Sequence, residues 1–136
     1  MFSEDQKNKI IAIVQDLPIE VLYLFGSQAT GHASLSSDYD FGVVFANGLD
    51  KKTCFDMRLQ LIGIFTDILN KKVDVLDLLI SPIRFQYEAI KPRMDIYVKN
   101  KLIRDDFENL ILRDYLDQMY YLKKTTKDYL HQFATN

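Results

Sequence analysis

The chain has 136 residues, 48% of them hydrophobic and 26% charged, which is enough for one domain with its own core and too little for two. Its 17 basic and 19 acidic residues give a formal net charge of -2, which excludes the broad positive surface of a protein that binds duplex nucleic acid. No apolar run approaches the roughly 20 residues of a membrane span, and the lone Cys54 and the lack of a signal peptide indicate a cytoplasmic protein.

Hydrophobic periodicity predicts helices and strands in alternation along the chain. A capping box formed by Ser3 and Gln6 marks the first helix, and Ser81 before Pro82 predicts an N-cap followed by proline at the first helical position. The predicted elements are a helix over residues 3–17, strands over 20–25 and 38–46, a helix over 50–70, a strand over 71–79, a helix from 82 to about 91, a strand over 95–98 and a helix from about 102 onward. This order predicts one α/β (α+β) domain over residues 1–136, with a single mixed sheet of about four strands covered by helices.

Two long helices carry apolar stripes that need a surface to cover. In the helix over residues 50–70 the stripe consists of Phe55, Leu59, Ile62, Phe65 and Leu69. In the terminal helix it consists of Phe107, Leu110, Ile111, Tyr115, Met119 and Leu122. The terminal stripe either packs on the chain's own sheet or docks a partner over part of its length, and the sequence leaves both interpretations open.

Two aspartates stand one residue apart in the second predicted strand. Asp38 and Asp40 are expected on the same side, about 6.6 Å apart along the strand, so both can reach one cation or a close pair of cations. Without a cation their charges repel, and oxygen ligands with no nearby His or Cys favour Mg²⁺. Asp74 can supply a third carboxylate if the third strand lies beside the second; its rival Asp77 falls on the other face and is expected to be a solvated end residue. Three carboxylates around Mg²⁺ suggest phosphoryl or nucleotidyl transfer.

A glycine and a serine follow the first buried strand. Gly26 and Ser27 are expected to open a short helix over residues 27–30, closed by Gly31. Glycine lets the backbone approach a ligand closely, while a helix N-terminus and the Ser27 hydroxyl present donors suited to phosphate. One end of this stretch is therefore expected to hold phosphate and the other to hold metal. The simpler alternative is a turn followed by a solvated strand face.

The spacing of these residues is a known motif. Gly26, Ser27, ten further residues, Asp38, one residue and Asp40 reproduce the pattern GSx10DxD, so the chain resembles the nucleotidyltransferase superfamily that includes DNA polymerase β. The resemblance to its minimal members, called MntA, extends over essentially the full length, through "FGSQATGHASLSSDYDFGVVF", "KKVDVLDLLISPIRFQYEAIK", the "DIYV" strand and the long terminal helix. Proteins of that kind are antitoxins that act beside HEPN ribonuclease toxins.

The resemblance implies a reaction and a role for each motif residue. The reaction is Mg²⁺-dependent transfer of AMP from ATP to a tyrosine of the HEPN toxin, which blocks its RNA-cleaving site within a hetero-oligomer of the two proteins. By position, Gly26 and Ser27 would hold the ATP phosphates, and Asp38 and Asp40 would bind the metals. Asp74 would complete the carboxylate set and help deprotonate the incoming tyrosine hydroxyl.

Two other functions are compatible with the same residues. The acceptor can be a small molecule such as an aminoglycoside, although the chain shows no second domain to enclose one. The chain can also be an antitoxin that neutralises its toxin by binding alone, without catalysis. One residue departs from the family pattern: many relatives carry an arginine where this chain has Thr30, so an arginine contact to phosphate is not expected there.

Overall fold

The computed structural model describes residues 3–25, 38–91 and 94–135, with side chains described as far as residue 132. The predicted short helix over residues 27–30 and the Gly26–Ser27 pair lie outside the described residues. The described elements are α1 Glu4–Val14, β1 Ile19–Phe25, β2 Tyr39–Phe45, α2 Lys51–Leu69, β3 Val73–Asp77, α3 Ile83–Ala89, β4 Met94–Val98 and α4 Lys101–Thr135. The predicted order of helices and strands is confirmed. No helix in these ranges is both long and apolar enough to cross a bilayer.

The four strands form one mixed sheet in the order β3-β2-β1-β4. The pairs β1–β2 and β1–β4 are antiparallel, and the pair β2–β3 is parallel. The predicted single mixed sheet is therefore confirmed. Because β2 and β3 run in the same direction, both begin at the end of the sheet where β1 finishes, and the carboxylates predicted from the sequence lie near those strand starts.

Helices cover both faces of the sheet and enclose two apolar clusters. The first cluster lies under α1 and α2, where the ring of Phe41 on β2 is 4.9 Å from the ring of Phe65 on α2. The second lies under α3 and α4 and includes Val21, Tyr23 and Val44 from the central strands. Burying both faces explains why β1 and β2 read as nearly continuous apolar runs.

Helix ends follow side-chain capping, with one exception to the prediction. The capping box at α1 is confirmed, since the Ser3 hydroxyl accepts from the Gln6 amide and the Gln6 side chain accepts from the Ser3 amide. The predicted N-cap role of Ser81 is wrong: its hydroxyl donates to the Asp77 carbonyl at 2.8 Å, and α3 begins after Pro82 with no side-chain cap. The hydroxyl is thus used in the turn that leaves β3.

The stripe predicted for α2 is wrong at its first two positions. Phe55 and Leu59 are 54% and 50% exposed, whereas Leu61, Phe65 and Leu69 are buried. Consecutive helical residues are rotated by about 100° around the helix axis, so a shift of one residue changes which side chains face the sheet. In the first turns of α2 the residues that face the sheet are not Phe55 and Leu59. Only a narrow strip of a helix lying on one sheet face is fully covered.

The terminal helix α4 divides into a packed first part and an exposed remainder. Phe107 and Ile111 are buried in the second cluster, and the ring of Tyr115 stacks on Tyr87 of α3 with centroids 3.7 Å apart. Beyond this point Met119 is partly exposed and Leu122 is 60% exposed. The predicted stripe therefore packs on the chain's own domain only over its first turns.

Candidate active site

The start of β2 lies beside the start of β3, and this pairing aligns two of the predicted carboxylates. Asp40 and Asp74 are direct partners in the parallel register, so their side chains leave the same face of the sheet. On its other side Asp40 is the partner of Phe25, the last residue of β1. The residue pair Gly26–Ser27 follows Phe25 in sequence and lies outside the described residues.

Asp38 is fixed at the entry to β2 by backbone bonds to the residue before β3. Its amide donates to the Lys72 carbonyl at 2.9 Å, and the Lys72 amide donates to the Asp38 carboxylate oxygen Oδ2 at 3.3 Å. The neighbouring Tyr39 amide donates to the same carbonyl at 3.2 Å. Burial, and secondarily the charge of Asp38, raises the pKa of Tyr39. Asp38 is therefore held at the junction of β2 and β3.

The carboxylate of Asp74 has a hydrogen bond and an ion pair at one oxygen. Its Oδ1 accepts from the Val75 amide at 2.8 Å and lies 3.6 Å from a terminal nitrogen of Arg58 on α2. The same guanidinium donates through Nε to the Val75 carbonyl. The Arg58 and Asp74 side chains are 30% and 45% exposed, so the pair is in contact with water.

Arg58 is a site residue that the sequence reasoning did not identify. It occurs one helical turn after Cys54 and one turn before Leu61, both of which pack on the first cluster. A cation on the sheet-facing side of an amphipathic helix needs an acceptor. The position of Arg58 on this side of α2 was therefore a sequence signal for a site residue. The sequence does not identify Asp74 as its partner, because that contact depends on how α2 packs against β3.

The prediction that Asp77 is a solvated strand end is wrong. Its residue is only 8% exposed, and it lies on the opposite face of β3 from Asp74, towards α2. The Leu79 amide donates to Asp77 Oδ1 at 3.1 Å. Burial raises the pKa of the Asp77 carboxyl, against smaller lowering effects of the Leu79 hydrogen bond and the Arg58 charge. Asp77 therefore lies near α2 and bonds to the turn after β3, and strand alternation specifies neither contact.

Gly42, two residues after Asp40 on β2, packs against the side chain of Leu78. A Cβ atom added to Gly42 would lie 2.8 Å from Cδ1 of Leu78, which is fully buried. Leu78 thus fills the space over Gly42 on the face that carries Asp40 and Asp74. This contact fixes how closely the turn after β3 approaches β2.

The donor chemistry of the three carboxylates fits a hard divalent cation, since all of them offer oxygen. Their backbones also fit, because Asp38 and Asp40 are neighbours on β2 and Asp74 is the register partner of Asp40. In the ranges that the structure describes, however, no three acidic, His or Cys side chains converge closely enough to hold an ion. Asp74 is turned towards Arg58, and Asp38 towards the Lys72 amide.

Three cavities lined by described residues lie away from these carboxylates. One of about 530 Å³ lies between α3 and α4, with Tyr87, Lys91 and Glu108 in its wall. A second, of about 510 Å³, lies at the opposite end of β2 and β3 and is lined in part by Phe55, Arg58 and Asp77. None of the three, as lined by described residues, has Asp38, Asp40 or Asp74 in its wall.

Comparison with known proteins gives one family match and several similar structures. Residues 8–102 match the family described as Polymerase beta, Nucleotidyltransferase. The sequence has no match among proteins of curated function. The family match spans β1 to β4 and includes every predicted site residue.

Three solved structures illustrate the similarity of fold. A chain of a toxin–antitoxin complex with AMP-PNP is 22% identical, with a TM-score of 0.71 over 91% of this chain and 98% of that one. A chain of the tri-AMPylated Shewanella oneidensis HEPN toxin in complex with its MNT antitoxin is 20% identical, with a TM-score of 0.69 over 93% and 98%. A chain of the MntA–HepT toxin–antitoxin complex is also 20% identical, with a TM-score of 0.69 over 94% and 99%.

Proposed function

This chain belongs to the polymerase β nucleotidyltransferase family, and we propose on that premise that it is an antitoxin that transfers AMP from ATP to a tyrosine of a HEPN ribonuclease toxin. The observation that carries the proposal is the register of β2 and β3, which makes Asp40 and Asp74 partners on one face of the sheet. The structural neighbours supply the partner class, because they include an AMPylated HEPN toxin bound to its MNT antitoxin. The lone Cys54 supports a reducing compartment, so we expect the reaction to take place in the cytoplasm.

The reaction exchanges a phosphoanhydride bond of ATP for a phosphodiester bond to the tyrosine oxygen. The tyrosine oxygen attacks the α-phosphorus of ATP, the bond from that phosphorus to the bridging oxygen of the β-phosphate breaks, and pyrophosphate leaves. Bound Mg²⁺ supplies stabilisation of the charge that develops on the attacking and leaving oxygens. Asp38 and Asp40 are the residues that would hold it, with Asp74 as the third carboxylate.

The protein's own residues orient the reactants and take up the proton. Asp74 is the carboxylate that would accept the proton of the tyrosine hydroxyl, because it lies at the sheet edge and is 45% exposed to an incoming chain. Gly26 and Ser27 would hold the triphosphate, as the family motif implies. The two Lys72 hydrogen bonds hold Asp38 at the entry to β2, from where it would bind the cation.

The exposed part of α4 supports a protein acceptor over a small molecule. Four large apolar side chains between residues 116 and 122 are 60–66% exposed: Leu116, Tyr120, Tyr121 and Leu122. Monomeric soluble proteins seldom leave such side chains together in water, so this segment is suited to bind another protein. We assign it to the HEPN toxin, the partner class found in the structural neighbours.

A label-transfer experiment tests the chemistry. The chain is incubated with a HEPN protein encoded beside it, Mg²⁺, and ATP labelled at either the α- or the γ-phosphate. Nucleotidyl transfer predicts label on the HEPN protein from α-labelled ATP alone. Label from γ-labelled ATP would instead indicate phosphoryl transfer and would contradict the proposal.

The binding-only antitoxin is the second candidate, and one observation favours it. Asp74 is engaged by Arg58 and the three carboxylates do not converge in the described structure. Under this alternative neither label reaches the HEPN protein, although the two chains form a stable complex. An Asp38→Asn/Asp40→Asn variant would then still protect cells from the toxin, whereas the enzyme requires those residues for protection.

A further inference from the structure

Arg58 links the two faces of the sheet around its open edge. Within the described residues β3 is an edge strand whose one strand neighbour is β2. Arg58 extends from α2, on the face that buries Val75, and donates to the Val75 carbonyl through Nε. A terminal nitrogen then reaches Asp74, whose side chain leaves the other face because neighbouring residues of a strand alternate.

This placement sets a positive charge against one of two adjacent carboxylates. Asp40 and Asp74 are register partners, so their negative charges are close and repel each other. The Arg58 guanidinium reduces that repulsion by facing Asp74 Oδ1. The contact therefore stabilises the carboxylate pair when no divalent cation is present.

The same contact engages one of the two carboxylate oxygens that Asp74 offers to a cation. Asp74 Oδ1 already accepts the Val75 amide, and the guanidinium lies on the same atom. At 3.6 Å and with both side chains partly in water, the ion pair is loose and of the weak, solvated kind. A divalent cation, which carries the higher charge, can therefore displace the Arg58 guanidinium from Asp74.

We propose that Arg58 is the counter-ion that Asp74 exchanges for a divalent cation, so that guanidinium and metal compete for one carboxylate. This inference rests on the proposed function, because it takes Asp74 as a metal ligand. Arg58 is then a positioning residue that acts through Asp74. The positive charge of Arg58 also repels an approaching cation. Competition for Asp74 and this repulsion both weaken metal binding, so removal of Arg58 should strengthen it.

A direct measurement of Mn²⁺ binding to the full chain, without ATP or toxin, tests whether removal of Arg58 strengthens metal binding. The electron paramagnetic resonance signal of free Mn²⁺ gives the dissociation constant for the wild type and for Arg58→Gln. We expect the constant to fall about three- to tenfold in Arg58→Gln, the scale expected for removing one unit charge a few ångströms from a divalent ion in a solvated site. Arg58→Lys keeps the charge and should stay near the wild type.

Two controls separate the proposed exchange from general effects. Arg113→Gln removes an exposed arginine from α4, which packs on α3 and β1, and should leave Mn²⁺ binding unchanged. In an Asp74→Asn background, replacing Arg58 by Gln should have less than about a twofold effect, because the shared carboxylate is gone. Far-UV circular dichroism and urea unfolding establish that each variant is folded, and Arg58→Met provides a second neutral side chain if Arg58→Gln is not.

The outcomes distinguish this inference from the function on which it rests. Equal or weaker Mn²⁺ binding in folded Arg58→Gln and Arg58→Met, with wild-type binding that depends on Asp40, would overturn the inference alone. A wild type that binds no Mn²⁺ would overturn the inference together with the metal assignment. Tighter binding that disappears in the Asp74→Asn background supports the competition.

Discussion

Asp40 and Asp74 are direct partners across the parallel pair of β2 and β3. The two residues are 34 positions apart in sequence, and α2 lies between them. A parallel pair requires such a crossover, so the helix that carries Arg58 is the same element that allows β3 to bring Asp74 beside Asp40. The crossover thus supplies both the third carboxylate and its counter-ion.

Replacing Asp40 by Asn should remove AMP transfer and leave the fold intact. The amide keeps the size of the side chain and loses the charge that binds the cation, so we expect the rate of label transfer from α-labelled ATP to fall by more than about a hundredfold. Asp67→Asn, an exposed acid on α2, is the matched control and should keep wild-type activity. If Asp40→Asn still transferred AMP, the assignment of Asp40 as a metal ligand would be contradicted.

Charged substitutions on the exposed part of α4 should weaken the toxin complex. Leu116 and Tyr120 are 62% and 63% exposed, and their replacement by Glu places a charge in an interface that must otherwise be dry. We expect the dissociation constant of the toxin complex, measured by calorimetry, to rise at least about tenfold for each. Gln118→Glu adds the same charge on the same helix and should have little effect. Equal weakening in all three variants would show that the added negative charge, and not the loss of the apolar surface, weakens the complex.

Gly42→Ala should destabilise the fold through one contact. The new Cβ atom would lie 2.8 Å from Leu78 Cδ1, so the buried leucine must move, at a cost of about 1–3 kcal/mol in the free energy of unfolding. Because the same atoms are involved, Gly42→Ala combined with Leu78→Ala should cost less than the sum of the single variants. Urea unfolding measures all three, and additive losses would show that the strain lies elsewhere.

Asp77→Asn should change how stability depends on pH. Burial raises the Asp77 pKa above its ordinary value of 3.8, so between the unfolded and folded pKa values the native state holds more protons than the unfolded state. The free energy of unfolding contributed by this group therefore falls as pH rises through that window. Asn has no such titration, so the stability of Asp77→Asn relative to the wild type should increase from about pH 3 upward. A difference that stays constant with pH, measured by urea unfolding, would contradict the raised pKa.

The motif and the order of elements were accessible from the sequence because they depend on local rules. Spacing identified Asp38 and Asp40, and the capping box located the start of α1 at Ser3. The choice between Asp74 and Asp77 was made on resemblance, because strand register is a long-range property that depends on the pairing of β2 with β3. The role of Asp74 in metal binding remains a prediction.

Three features were misread or missed because they depend on tertiary placement. Arg58 reaches β3 only because α2 crosses the sheet at a particular height, which helical periodicity does not specify. Asp77 is buried on the side of the sheet where α2 packs, and the Ser81 hydroxyl bonds to the Asp77 carbonyl instead of capping α3. Helical periodicity and strand alternation specify neither the packing of α2 against β3 nor the hydrogen bonds of the turn after β3.

The most direct test of the account is the intact mass of the HEPN protein after incubation with this chain, ATP and Mg²⁺. The account predicts a mass gain of one or more AMP units with the wild-type chain and none with Asp40→Asn, and fragmentation should locate the added AMP on a tyrosine. An unchanged mass despite a stable complex would contradict the central claim and would establish neutralisation by binding alone.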